Sequence, residues 1–380
     1  MRDARLSKPK NPTAHTQNSL KQSVGRGAQG NVTSRFVKNH TVADLENFGY
    51  LDDEEDLSTL RTEYLSDSSR TIVASNDSPD IGFTYSANPY RGCEHGCIYC
   101  YARPTHEYLN LSAGLDFETK IFVKHEAPHL LREKILSKSW EGDTIFFSGV
   151  TDCYQPVERQ LKLTRACMEV MLEYRNPVSV ITKNALIRRD VDLYARMAEY
   201  QGVLVYLSIT SLKPDLQKIL EPRTSLPELR LRAIEELTKA GVPVGVNVAP
   251  VIPGLTDEEL PAILKAAAEA GAISAGFTPV RLPLAVAPLF EEWLGVHFPD
   301  RKDKVLNAVR SIREGKLNDS TFGSRMRGEG ARADAMADIF NLFAKKYGLQ
   351  EKRVTLSSAS FRKPAADEIR DLKSGQLRLF

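Results

Sequence analysis

The sequence predicts an α/β protein built on a parallel sheet wound right-handedly. Three observations lead there. Short β-branched apolar runs recur beyond residue 80, and an amphipathic stretch of helical period separates each from the next. The chain, 380 residues with 42% hydrophobic and 26% charged, is also long enough to bury one sizeable core. In order, a first strand is expected near Gly82–Ser86 and a second at Thr144–Phe147. A helix over Leu161–Tyr174 leads to the run Val178–Thr182, and one over Asp190–Tyr200 leads to Val203–Ile209. The stretch Pro227–Ala240 joins that strand to Val242–Val248, and Asp257–Ala270 joins the latter to Ala275–Thr278. That makes about six strands, too few for the eight of a closed barrel.

Around a core of residues 81–298 the composition shifts. Residues 1–40 carry Arg2, Arg5, Lys8, Lys10, Lys21, Arg26, Arg35 and Lys38 against Asp3, with few large apolar side chains, and read as a basic disordered arm. Residues 41–80 form an N-terminal extension whose acidic run, Asp52 to Asp56, is able to neutralise that arm. Residues 299–350 are expected as a helical C-terminal extension and 351–380 as a polar tail. The net charge of +2 names no partner. No apolar run is long enough to span a bilayer and no secretory pattern opens the chain. Cysteines gathered in one loop fit a reducing, cytoplasmic setting better than a disulfide framework.

Three of the five cysteines lie in Cys93-Glu-His-Gly-Cys97-Ile-Tyr-Cys100. Iron-sulfur clusters take cysteine thiolates, commonly four, so a three-cysteine cradle leaves one iron open to another ligand. On the residues alone, a Cys3His zinc site completed by His95 or His106 is the alternative. The CxxxCxxC spacing, with an aromatic residue before the last cysteine, resembles the cluster loop of the radical S-adenosylmethionine (radical SAM) superfamily. The resemblance implies a [4Fe-4S] cluster on Cys93, Cys97 and Cys100, with SAM chelating the open iron, on an open (β/α)6 partial TIM barrel. It further implies a flavodoxin or ferredoxin electron donor and reductive SAM cleavage to a 5'-deoxyadenosyl radical that abstracts hydrogen from a substrate.

In parallel barrels the chemistry collects where strands end. By resemblance, Thr151 and Asp152 after the second strand match the acceptors for the amino group of the cofactor, and Lys183 after the third matches the cation for its carboxylate. Ser208 after the fourth matches the ribose-binding hydroxyl, Asn247 lies in the segment GVNVAPVIPGL that frames the adenine, and Tyr99 packs near that ring. Plain readings stand beside these: Asp152 as a helix N-cap, Lys183 as an exposed lysine, Ser208 as a core serine. The stretches TDCYQPVERQ, ITKNALIRRD and LEPRTSLPELRLRAI, with the residues around the cysteine loop, are similar to the spore photoproduct lyase-like (DNA repair photolyase-like) branch. That branch makes Tyr101 a candidate hydrogen-atom relay. It also places a hydrogen-donating cysteine where this sequence has Gly149, so Cys153, four residues on, is either a displaced donor or a helix-start residue. Cys167 reads as core. The branch, the basic arm and Arg325, Arg327 and Arg332 suggest a nucleic-acid substrate.

The final residues resemble the QLxLF pentapeptide by which bacterial proteins bind the sliding clamp. Leu377, Leu379 and Phe380 would fill apolar pockets and Gln376 would hydrogen-bond at the rim. A non-catalytic or zinc-bound accessory protein docking on that clamp is the second function the sequence carries.

Overall fold

The computed structural model describes residues 25–36, 61–350, 354–363 and 365. Among them the strands are β1 (Glu63–Ser66), β2 (Val73–Ser75), β3 (Tyr85–Ala87), β4 (Tyr90–Arg91), β5 (Lys120–Val123), β6 (Ile145–Phe147), β7 (Val178–Thr182), β8 (Val203–Ser208), β9 (Val244–Val251) and β10 (Ser274–Pro279). In the larger sheet β3, β6, β7, β8, β9 and β10 lie side by side in chain order, all parallel, and β2 adds an antiparallel edge beside β3. These six parallel strands are the six expected from the apolar runs. The sheet's outer strands, β2 and β10, do not pair with each other, so no closed barrel forms among the described residues.

The expected connecting helices are present as Leu163–Glu173, Val191–Ala198, Pro227–Lys239 and Leu260–Glu269. They cover one face of the sheet. Val203, Val205 and Leu207 on β8 and Val244, Val246 and Val248 on β9 alternate onto that face and are buried with Met168, Met171, Met197, Ile234 and Leu264. The opposite face lines a cleft of about 1210 Å³ bounded by Phe83, Phe146, Ser179 and Tyr206. Phe83 and Phe146 stack there, 4.4 Å between ring centroids. Further along, the helix Ala331–Lys346 lays Ala333, Met336, Phe340 and Ala344 into the core. No helix among the described residues is long and apolar enough to cross a membrane.

Two parts depart from expectation. Residues 25–36, assigned to a disordered arm, pack against the core: the Gly27 and Ala28 amides donate to Glu118 at 3.0 and 2.9 Å, and Val32 and Ser112 exchange two hydrogen bonds of 2.8 Å. These polar partners are a carboxylate and a hydroxyl distant in sequence, so composition conceals the docking. The acidic run and the rest of the arm lie outside the described residues. Part of the polar tail also docks at the N-terminal ends of the strands. There Ser357 N–H donates to Gln201 O (3.0 Å), Arg362 N–H donates to Tyr174 O (2.8 Å), and Phe361 lies over Gly142.

Candidate active site

The cysteine loop follows β4 and is held from behind by a buried ion pair. Its backbone turns at Gly92 and Gly96, whose φ of 78° and 66° lie in the left-handed region that favours glycine. A Cβ on Gly96 would stand 2.7 Å from Glu118 Oε2. Glu118 and Arg103 are both fully buried and 2.5 Å apart. Arg103 donates from Nε to the Cys97 carbonyl (3.0 Å) and from Nη1 to those of Ala113 and Gly114 (3.2 and 3.0 Å). The Cys93 amide donates to Phe117 O at 2.9 Å. One guanidinium fork thus fixes the loop through main-chain atoms and leaves the three cysteines free of disulfides.

Facing the loop is a buried charge cluster at the C-terminal ends of β7, β8 and β9. Lys183 Nζ lies 3.4 Å from Glu221 Oε1 and donates to Ala249 O at 2.8 Å. Arg230 donates to Glu221 Oε2 (2.5 Å) and to the carbonyls of Ser208 (2.8 Å) and Ser225 (2.7 Å). Thr210 donates to Glu221 Oε1 at 2.6 Å, and the Tyr99 hydroxyl donates to the same oxygen. Burial alone would raise the Glu221 carboxyl, but Arg230 and Lys183 hold it well below the usual carboxylate range. Two cations share one anion, and Lys183, 16% exposed, stands on the accessible side, its ammonium 5.8 Å above the Tyr99 ring.

Asp152 ties the strand ends to the loop. Its oxygens accept from the amides of Tyr154 and Lys183 (both 2.8 Å) and from Thr182 Oγ1 (2.8 Å), and His95 Nδ1 is 3.4 Å away. His95 Nε2 meets Asn184 Nδ2 at 3.1 Å. Burial pushes the His95 imidazole below its ordinary range, against the pull of the Asp152 carboxylate beside it. Asp152 is therefore a brace between β6, β7 and the cysteine loop as well as an acceptor. Thr151 is buried and donates to Tyr90 O at 3.0 Å.

Of the remaining expected residues, Ser208 and Asn247 are register partners on β8 and β9. Tyr99 is buried, and its hydroxyl anchors on Glu221. Tyr101 is 48% exposed and donates to Gly149 O at 2.7 Å. Cys153 is not at this mouth. It is fully buried in the core under the helices, burial pushes its thiol well above the ordinary range, and its amide and carbonyl are bonded to Ser148 and Thr164 at 2.9 and 2.6 Å. The displaced-donor reading is thereby corrected, because nothing outside the core reaches this sulfur. Cys167 is core as expected.

Among the described residues no three His, Cys, Asp or Glu side chains converge as one ion requires, and His106 packs edge-on against Phe117 behind the loop. Of the three arginines expected to meet nucleic acid, Arg325 is bound by Asp80 at 2.7 and 2.5 Å, Arg332 is 3.8 Å from Asp257, and Arg327 is exposed. Gln376, Leu377, Leu379 and Phe380 lie outside the described residues.

Sequence reasoning passed over Glu221, Arg230, Thr210, Arg103 and Glu118. A faint signal existed: Glu221 follows the apolar end of a helix directly, an expensive place for a carboxylate without a cation.

Residues 87–267 match the family described as the Radical SAM superfamily. Over that stretch the chain is similar to radical SAM domains. An uncharacterized protein of Mycobacterium tuberculosis is 37% identical over 222 residues, 58% of this chain and 65% of the relative. One of Methanocaldococcus jannaschii is 32% identical over 178 residues, 47% and 64% respectively. The match thus spans just under two thirds of these relatives' length. Among solved structures, spore photoproduct lyase complexed with dinucleoside spore photoproduct superposes with a TM-score of 0.53 at 17% identity, covering 75% of this chain and 79% of that one. A variant of that lyase with bound AdoMet and dinucleoside spore photoproduct gives 0.51 at 16%, over 75% and 78%. At these identities the likeness concerns the fold.

Radical SAM enzymes use a [4Fe-4S] cluster and SAM, and the donors here fit such a cluster. The thiols of Cys93, Cys97 and Cys100 are all pushed up, first by burial, and for Cys93 and Cys97 also by neighbouring negative charge. Three crowded thiolates, those of Cys93 and Cys97 buried and that of Cys100 partly exposed, would be stabilised by the positive charge that iron supplies. Three sulfurs without a fourth ligand also match a cluster with one open iron.

Proposed function

We propose that this radical SAM enzyme binds its cluster through Cys93, Cys97 and Cys100 and its SAM between the cysteine loop and the ends of β7, β8 and β9. The observation that carries this reading is the Lys183–Glu221–Arg230 cluster facing three unpaired cysteines. When bound, cluster and cofactor together supply one-electron cleavage of SAM to methionine and a 5'-deoxyadenosyl radical. The protein's own part is to hold and shield. Lys183 presents an ammonium to a carboxylate, with Glu221 and Ala249 O fixing its position. Asp152 and Thr151 take the amino group through whichever lone pairs their internal hydrogen bonds leave, and Tyr99, Ser208 and Asn247 border the nucleoside. Burial of the loop excludes water from the sulfurs.

The six parallel strands are read as an open partial barrel with its chemistry at their C-terminal ends. Tyr101, which directly follows Cys100, is read as the residue that passes a hydrogen atom. The substrate is proposed to be nucleic acid, on the likeness to a lyase solved with a dinucleoside photoproduct. A flavodoxin or ferredoxin would supply the electron in the cytoplasm. The clamp-binding reading of residues 376–380 rests on their sequence alone.

The test is anaerobic purification followed by metal analysis and incubation with dithionite and SAM. The expected outcome is about four irons per chain, 5'-deoxyadenosine as product, and loss of both in Cys93→Ala. Stoichiometric zinc without iron after reconstitution would overturn the reading.

A further inference from the structure

Three guanidiniums gather at the C-terminal end of β10, and only one is hydrogen-bonded to a carboxylate. Arg325 holds Asp80 with both arms of its fork. Arg313, 1% exposed, donates only to the carbonyls of Pro279, Val280, Ser324 and Arg325, and its Nε has no hydrogen-bond partner. Burial and the charge of Arg281 push Arg313 down to about 10. Arg281 itself is partly buried, and among the described residues it makes no ion pair. Its guanidinium stacks over the ring of Tyr101, 5.2 Å from the centroid. Asp319 is engaged by Ser324 and by the Thr321 amide. A guanidinium stays charged at any working pH, so an unpaired one held among low-dielectric neighbours is costly until an anion arrives.

The position is informative. Tyr101 directly follows Cys100, and its hydroxyl reaches Gly149 O just beyond β6, so Arg281 stands next to the cysteine loop. The Tyr101 ring borders it, and a second aromatic, the exposed Phe322, packs on the neighbouring Arg325 at 4.6 Å. A cation flanked by flat apolar surfaces fits a phosphate carrying a base better than a bare carboxylate.

We propose that Arg281 binds a phosphate or phosphodiester oxyanion of the substrate, with Tyr101 and Phe322 as stacking surfaces for the attached base. This rests on reading the mouth as the substrate entrance of a radical SAM enzyme.

The experiment is fluorescence anisotropy on the full chain with a labelled single-stranded oligonucleotide at several salt concentrations, with a nucleoside monophosphate as competitor. Arg281→Gln should weaken binding about tenfold or more and reduce the slope of log K against log salt by about 0.7, one phosphate contact. Arg281→Lys should lose less, and Asp80→Asn, which releases Arg325, should bind tighter. Effective competition by the monophosphate assigns the oxyanion to a small nucleotide, and its failure to compete assigns it to a nucleic acid. Unchanged affinity and slope in Arg281→Gln, or no binding of either probe by the wild type, overturns the proposal. Should Arg281→Gln fail to fold, unchanged affinity in Asp80→Asn overturns it instead. The assay needs no SAM cleavage, so failure of the enzymatic reading appears separately, as absence of 5'-deoxyadenosine.

Discussion

Lys183 and Glu221 face each other at 3.4 Å beneath the cysteine loop, one on the strand-end loop after β7 and the other at the end of the helix after β8. Their burial differs, 16% against 1%, and this separates their roles. Glu221 belongs to the interior and fixes Tyr99, Thr210 and Arg230, whereas Lys183 keeps part of its ammonium on the open side.

Lys183→Ala should therefore weaken SAM binding by roughly ten- to a hundredfold, the worth of one charged hydrogen bond, and shift the urea midpoint little. Glu221→Gln should do the reverse. Removing one member of a buried ion pair costs about 3–5 kcal/mol, read from the same urea titration. Equilibrium dialysis with SAM on reconstituted protein checks the first, and equal losses of affinity in both variants would contradict the division.

The Arg103–Glu118 pair predicts a different failure. Gly96→Ala places a Cβ 2.7 Å from Glu118 Oε2 at a φ of 66°, so both the clash and the left-handed backbone oppose it. The variant should be destabilised by about 2 kcal/mol or more and should take up less iron on reconstitution. Iron content and unfolding midpoint equal to wild type would show that the loop is not held as described.

His106 should make stability depend on pH. The ring is fully buried, neither nitrogen has a hydrogen-bond partner, and burial pushes its pKa down to about 4. Between that value and the ordinary 6.5 or so the unfolded chain binds a proton that the folded chain does not, so stability rises with pH across this window and is lost as pH falls through it. The contribution is about 3 kcal/mol, from 1.36 kcal/mol per unit. Denaturation of wild type and His106→Phe at pH 4.5 and 7 should show a smaller loss on acidification in the variant.

Cys153 should resist iodoacetamide in the folded protein and react only on denaturation, because its sulfur is buried and its thiol is held protonated. Peptide mass spectrometry after native alkylation reads this directly. Rapid native labelling at Cys153 would return it to the candidate donors.

The six parallel strands and the helices between them were legible because their signal is local. Each apolar run had to be buried, and each helix showed its own period, so Val178–Thr182 and Pro227–Lys239 appear almost where periodicity put them. The three cysteines and Lys183 were legible as well, since spacing and strand ends are properties of chain order. The small sheet β1-β5-β4 was not. Its strands are two to four residues long and exist only through pairing with distant segments. The docking of residues 25–36 depends likewise on the Glu118 carboxylate, some 90 residues away in sequence. Chain order could set Cys153 near the site and Arg325 among free cations. Tertiary structure alone buried the first, gave the second to Asp80 and left Arg281 without an ion pair among the described residues. Which charge meets which is decided by long-range proximity and the low dielectric of the interior, and neither is written in local sequence.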